Sequence, residues 1–270
     1  MRKKLCFIGN SHLGCIKRAW TEIWRDHPGV KIDFFVNRSA GTIPLTIGRS
    51  ADDPTEFTDI LLERGAALVP ADYDGVFVFS LEFSLIRLAA IYSLYRAEDQ
   101  AIGKGQHLIS DAVYLASAKA ALRDTRAVKV AKAVSSHGGH ETYIVEQPRP
   151  SAYLTHAPEE TLTSFRAAVA AGDGGSIERM YLQAAREVAN SAGAQLVEQP
   201  TDTAESQMLT KGEYGLCDIN DQSEGSWFAR GDFIHMNPAF GRLVVEQIMA
   251  LDLGGAKRRD LKAMFLTPGT

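Results

Sequence analysis

Short apolar runs recur along the chain, and each is bounded by glycine, proline or polar residues. Continuous apolar runs of this length are typical of strands that are buried on both faces of a parallel sheet. The pattern therefore predicts five strands, at residues 5–8, 30–36, 75–79, 142–146 and 194–197.

Between these runs, apolar residues recur at the three- and four-residue spacing of amphipathic helices. Helices are predicted over 16–23, over 85–95, through an alanine-rich segment to about 134, over 162–171, over 177–189, and from Pro238 to 251. Residues 200–231 are polar and rich in glycine and serine, which predicts a long loop.

The alternation of strands and helices predicts an α/β fold, a three-layer α/β/α arrangement around a five-stranded, doubly wound parallel sheet. The helical residues between the third and fourth strands exceed what one crossover requires. We therefore expect a single domain over 1–270 with an inserted helical lobe at about 100–136.

Composition narrows the possible functions. A chain of 270 residues with 45% hydrophobic residues can bury a sizeable core, and a net charge of −4 argues against a nucleic-acid partner. Three cysteines without a paired spacing argue against a disulfide framework or a zinc site and favour a reducing compartment. The apolar stretch near the N-terminus is too short for a secretory signal, and no run approaches a membrane span. We expect a cytoplasmic protein.

Ser11 follows the first predicted strand directly, and ligands of doubly wound sheets bind beyond the carboxyl ends of the strands. Position alone favours a helix N-cap, because a serine side chain can accept a hydrogen bond from the first N–H groups of a helix. A nucleophilic serine would instead need a nearby base and a group that orients that base.

His235 is the best candidate base among the seven histidines. It lies just before the last predicted helix, and Asp232 precedes it by three residues, close enough to fold back onto the imidazole. The alternative is structural: Asp232 caps a turn and His235 fills a surface groove. The other histidines lie in loops or beside helix starts, where solvated side chains are common.

Together, these two segments resemble the SGNH (GDSL-like) family of serine hydrolases. Gly9-Asn10-Ser11-His12-Leu13 is similar to the family's first block, with Asn10 where aspartate is commoner, and residues 232–235 are similar to its last block. The family's fold is three-layer α/β/α of flavodoxin-like type, so the architectural resemblance covers nearly the whole chain. The resemblance implies that Ser11 is the nucleophile, His235 the general base and then acid, and Asp232 the residue that orients it.

The family's oxyanion hole combines the N–H of the nucleophile, a glycine N–H after the second strand and an asparagine side chain after the third. Ser11 and Gly41 match the first two positions, although Gly41 could equally be a turn glycine. Where the family has Gly-x-Asn-Asp, this chain has Ser80-Leu81-Glu82-Phe83. An ionised Glu82 would repel an oxyanion, so it would have to be protonated or rotated away.

The resemblance implies an esterase that cleaves a small acyl ester, and Asn10, His12 and Glu82 are candidates to line the substrate. An O-acetylated saccharide is one candidate substrate, because the Ser-His step is common in SGNH domains of carbohydrate O-acyltransferases. No metal or organic cofactor is implied. The alternatives are an O-acyltransferase with the same triad and a non-catalytic binding module on an SGNH frame, the latter motivated by Glu82.

Overall fold

The computed structural model describes residues 2–36, 43–48, 54–62, 67–103, 105–138, 140–158, 160–221 and 223–253. Its strands are β1 (Lys3–Gly9), β2 (Val30–Val36), β3 (Ile43–Gly48), β4 (Pro54–Leu62), β5 (Ala67–Leu68), β6 (Gly75–Phe79), β7 (Tyr95–Arg96), β8 (His107–Leu108), β9 (Glu141–Val145) and β10 (Gln195–Val197). Its α-helices are α1 (Leu13–Ile23), α2 (Ile86–Tyr92), α3 (Asp111–Arg123), α4 (Arg126–Ser135), α5 (Thr163–Ala171), α6 (Gly174–Ser191) and α7 (Pro238–Met249).

The central sheet contains five parallel strands in the order β2-β1-β6-β9-β10. The five strands predicted from the apolar runs are these five, which confirms the predicted fold class. The register pairs Gly9 with both Val36 and Phe79, and Phe79 with Val145. The carboxyl ends of these four strands therefore meet at one edge, and the turn after β1 opens onto that edge.

Helices cover both faces of this sheet because successive strand residues point to opposite sides. Leu5 and Phe7 of β1 pack in one cluster with α1 and α7, whereas Cys6 and Ile8 pack in another with α2 to α6. All five residues of β6 are buried. A central strand that is covered on both faces is apolar throughout, which explains the continuous runs in the sequence.

The region predicted as a helical lobe, at about 100–136, contains β8, α3 and α4. Helix α3 packs on α6, and α4 packs against β6 and β9 of the central sheet. The short strands β7 and β8 pair with each other just ahead of α3.

The hydrophobic pattern did not predict a second sheet, but it did predict the long loop before α7. Strands β3, β4 and β5 form a second, three-stranded sheet that the pattern did not predict. In the segment predicted as a long loop, 200–231, the described residues form 3-10 turns at Thr201–Thr203 and Gly212–Tyr214 and contain no α-helix or strand longer than an isolated bridge.

Helices α1 and α7 approach each other closely at Gly241. A Cβ atom at this position would lie 2.4 Å from the carbonyl oxygen of Cys15 in α1, far inside van der Waals contact. Only glycine allows this approach without moving one helix. The contact matters for the site, because Ser11 lies just before α1 and His235 just before α7.

Gly241→Ala should therefore lower the free energy of unfolding by about 1–3 kcal/mol, as overpacked core positions do. Gly14→Ala is the matched control, since a Cβ at Gly14 in α1 would meet no atom within 4 Å. We expect the control to keep or slightly raise stability, by up to about 1 kcal/mol. Urea unfolding followed by circular dichroism measures both variants, and a Gly241→Ala protein as stable as the wild type would contradict the close approach.

Candidate active site

The turn between β1 and α1 is held by backbone groups and by Asn10. The Oδ1 atom of Asn10 accepts a hydrogen bond from the His12 N–H at 3.2 Å, and the carbonyl oxygens of Asn10 and Ser11 accept from Leu13 and Gly14. His12 occupies the N-cap position of α1, and its side chain forms no capping hydrogen bond with the helix. The N-cap interpretation of Ser11 is therefore wrong, and its hydroxyl is available for another partner.

The loop before α7 folds Asp232 back onto His235. The Oδ1 atom of Asp232 accepts hydrogen bonds from the N–H groups of Ile234 and His235, at 3.3 and 3.1 Å, and Oδ2 lies 2.7 Å from His235 Nδ1. Asn237 anchors the loop, since it caps α7 at Phe240 and its side-chain amide donates to the carbonyl oxygen of Glu213.

The two loops meet at the carboxyl edge of the sheet. His235 Nε2 lies 2.7 Å from Ser11 Oγ, although the two residues are 224 positions apart in the chain. Ser11, His235 and Asp232 thus form one continuous hydrogen-bonded series. The structure brings together the three residues that the sequence pattern singled out for catalysis.

The charge on Asp232 fixes how the imidazole is used. Burial of the carboxylate opposes its ionisation, but hydrogen bonds from His235 and Ile234 outweigh burial and hold the pKa of Asp232 below its ordinary value. An ionised carboxylate beside Nδ1 requires the ring proton at Nδ1. The other nitrogen, Nε2, is then an acceptor that faces the Ser11 hydroxyl.

His12 stacks on His235 from the other side of the turn. The ring centroids are 4.5 Å apart with an interplanar angle of 23°, and His12 is buried. Burial, with a smaller contribution from His235, lowers the pKa of His12 to about 3. The stacked ring is therefore neutral near pH 7. It supports the plane of His235 without adding a second positive charge.

Glu82 is held by two arginines. Its Oε2 atom lies 3.0 Å from Arg87 Nη2, and its Oε1 atom lies 3.0 Å from Arg126 Nη2. Ser80, Leu81 and Glu82 all have positive φ angles, of 60°, 41° and 74°, a conformation that is costly for residues other than glycine. The carboxylate that could have opposed an oxyanion is thus committed to two guanidinium groups.

The predicted oxyanion donors are placed only in part. Among the described residues, no acceptor forms a hydrogen bond with the Ser11 N–H, so this donor is available beside Oγ. Gly41, the second predicted donor, lies outside the described residues.

A cleft of about 180 Å³ opens beside the triad. Its lining includes Ser11, Gly14, Arg18, Leu216, Trp227 and Met236. Arg18 and Trp227 are not among the residues that the sequence pattern predicted for the site. Arg18 could have been found from its helical spacing, four residues after Gly14, and Trp227 from being the single tryptophan in a polar segment.

The chain matches no family model, and no curated protein matches it. No helix in the described part of the chain is long and apolar enough to cross a membrane. Within the same residues, no group of three or more histidine, cysteine, aspartate or glutamate side chains is arranged to hold a metal ion.

The pKa of His12 predicts how stability changes with pH. The unfolded chain protonates His12 near the ordinary value of 6.5, whereas the folded protein keeps it neutral until about pH 3. Unfolding between these values takes up a proton, so acid favours the unfolded state. Below about pH 6, this group should lower the free energy of unfolding by about 1.4 kcal/mol for each pH unit.

His12→Phe isolates this contribution, because phenylalanine keeps a ring against His235 but cannot titrate. Urea unfolding of both proteins at several values between about pH 7 and pH 4.5 gives the two slopes, at pH values above most carboxylate titrations. The wild type should lose stability more steeply. Equal slopes would mean that His12 takes up a proton in the folded protein as readily as in the unfolded chain.

Proposed function

We propose that the protein is a serine esterase of SGNH type that cleaves a small acyl ester through an acyl-enzyme on Ser11. The observation that carries the proposal is the 2.7 Å contact between His235 Nε2 and Ser11 Oγ, with Asp232 on the opposite ring nitrogen. A nucleophile, a base and an orienting carboxylate in this order are the requirements for activating a serine. Their positions along the chain resemble the SGNH arrangement.

In the first half of the reaction, Ser11 Oγ attacks the ester carbonyl carbon while His235 Nε2 takes the hydroxyl proton. Asp232 stabilises the imidazolium that forms. When the tetrahedral intermediate collapses, the bond to the alcohol oxygen breaks and Nε2 protonates that oxygen. The products are the free alcohol and an acyl group on Ser11.

In the second half, His235 takes a proton from water as the water oxygen attacks the acyl-enzyme. Collapse of this second intermediate breaks the bond to Ser11 Oγ, which regains its proton from Nε2. The carboxylic acid leaves. The neutral His12 supports both halves, because the charge that alternates on His235 has no second imidazolium stacked against it.

The oxyanion formed in each half needs donors close to Ser11. The Ser11 N–H is one, and the resemblance to the family supplies Gly41 as the second. Glu82 does not argue against catalysis, because its charge is offset by Arg87 and Arg126. The site therefore loses a donor relative to the family without gaining an unpaired carboxylate.

The proposed substrate is a small-molecule or saccharide ester, and the proposed location is the cytoplasm. Cys6, Cys15 and Cys217 are free and buried, which is the state expected in a reducing compartment. The neutral form of a buried thiol is favoured here, since burial raises the pKa of Cys15 to about 12.

Ser11→Ala should lower turnover of p-nitrophenyl acetate by at least about 1,000-fold, because the nucleophile is lost. Asp232→Asn should lower it by about 100- to 10,000-fold, because the imidazole loses its orienting charge. Release of p-nitrophenolate measures both, and circular dichroism checks the fold. Ser117→Ala is the matched control, since Ser117 is half-buried on α3 and its hydroxyl donates only to the Val113 carbonyl oxygen.

Labelling with a fluorophosphonate tests the nucleophile independently of any substrate. Wild type and Ser117→Ala should each gain one label on Ser11, and Ser11→Ala should gain none. Turnover or labelling that survives in Ser11→Ala would remove Ser11 from the mechanism. An unlabelled and inactive wild-type protein would favour a binding module on the same frame.

A further inference from the structure

We propose that the cleft beside the triad selects esters of acidic sugars, with Arg18 binding the sugar carboxylate and Trp227 packing on the ring. This inference rests on the proposed function, since it places the scissile ester at Ser11. It goes further in naming the substrate class and two residues that determine specificity.

The cleft leads from Ser11 along one face of α1. Gly14 and Arg18 both line it, and they are separated by one helical turn, about 6 Å along the axis. A Cβ at Gly14 would meet no atom within 4 Å, so the space above this glycine is open. A group bound over Gly14 would thus lie between the nucleophile and the guanidinium.

Arg18 faces this space without a counter-charge. Within the part of the chain that the structure describes, no carboxylate lies within 4 Å of its guanidinium. This includes Glu22, which lies one turn further along α1. Arg87 and Arg126, in contrast, both bind the carboxylate of Glu82. An unpaired guanidinium in a cleft is suited to a planar oxyanion such as a carboxylate.

Trp227 provides a flat apolar surface in the same cleft. Trp227 is 40% exposed, although it is a large hydrophobic residue. The guanidinium of Arg230 lies 5.5 Å from the centre of the indole ring and supports it. Arg230 itself does not line the cleft. An exposed, supported aromatic ring suits a ligand with an apolar face and polar edges, and a pyranose ring has both.

These features favour one arrangement of the ligand. A sugar ring over Gly14 would pack against Trp227, present an acylated hydroxyl to Ser11 and place a carboxylate at Arg18. A neutral sugar would fill the same space but leave the guanidinium without a partner. We therefore expect discrimination between uronic acids and their neutral analogues to depend on Arg18.

Peracetylated glucuronic acid and peracetylated glucuronamide test this directly, because they share a shape and differ in charge. Wild type should release acetate from the acid with a kcat/KM about 10-fold higher than from the amide. Arg18→Gln should reduce this ratio to about 1. Lys17→Gln removes the same charge from an exposed neighbour that does not line the cleft, and should keep the ratio.

Three results would overturn the proposal: a wild-type ratio near 1, a ratio that survives Arg18→Gln, or a ratio that Lys17→Gln abolishes equally. The last would mean that the general field of the surface, and not a contact at Arg18, selects the acid. Trp227→Ala should weaken both sugar esters together, since it removes the packing surface for either one. An unchanged KM for both esters would remove Trp227 from the site.

Calorimetric binding separates this proposal from the proposed function. Ser11→Ala should bind peracetylated glucuronic acid, and Ser11→Ala combined with Arg18→Gln should bind it about 10-fold more weakly. If no ester is hydrolysed but this difference is found, the esterase assignment fails and the acid-binding cleft stands. If the wild type hydrolyses p-nitrophenyl acetate but the two variants bind the acid equally well, the cleft assignment alone fails.

Discussion

The site depends on the close packing of α1 against α7 at Gly241. Ser11 precedes α1 and His235 precedes α7, so the distance between the two helices sets the distance between these two side chains. The two groups are 224 residues apart in the chain, so their 2.7 Å hydrogen bond depends on how the elements that carry them pack together. It requires two rigid elements whose separation is fixed by contact between their backbones, and the absence of a side chain at Gly241 allows that contact.

The charge states of the two side chains beside His235 then determine how its imidazole can act in the proposed reaction. Asp232 keeps its charge because four hydrogen-bonding contacts from His235 and Ile234 outweigh the cost of its burial. His12 loses its charge because the carboxylate of Asp232 offsets only a small part of the effect of burial, and its Nδ1 has no hydrogen-bond partner among the described residues. The two neighbours of His235 thus play opposite parts. The carboxylate stabilises the imidazolium of the proposed reaction, and the neutral ring supports its plane without repelling it.

The central sheet could be predicted from local patterns in the sequence, and the meeting of Ser11, Asp232 and His235 from such patterns together with the resemblance to the SGNH family. Buried parallel strands are continuous apolar runs, and the carboxyl ends of such strands share an edge, which placed Ser11 near the site. The N-cap interpretation failed because a helix start offers serine the same local context whether or not a distant imidazole is present. The partners of Glu82 could not be found, since Arg126 is 44 residues away and its approach depends on how α4 packs. The sheet of β3 to β5 lacked a comparable apolar pattern.

Helix α1 links the proposed chemistry to the proposed specificity. Its buried positions, Leu13, Cys15, Ile16, Ala19 and Ile23, pack into the core and against α7. Gly14 and Arg18 lie on the face that the cleft exposes, away from that packing. Because the helical period separates these two sets of residues, the cleft-facing positions can change without altering the contact that holds Ser11 near His235. A change at Arg18 would therefore alter the proposed specificity without altering the geometry of Ser11, His235 and Asp232.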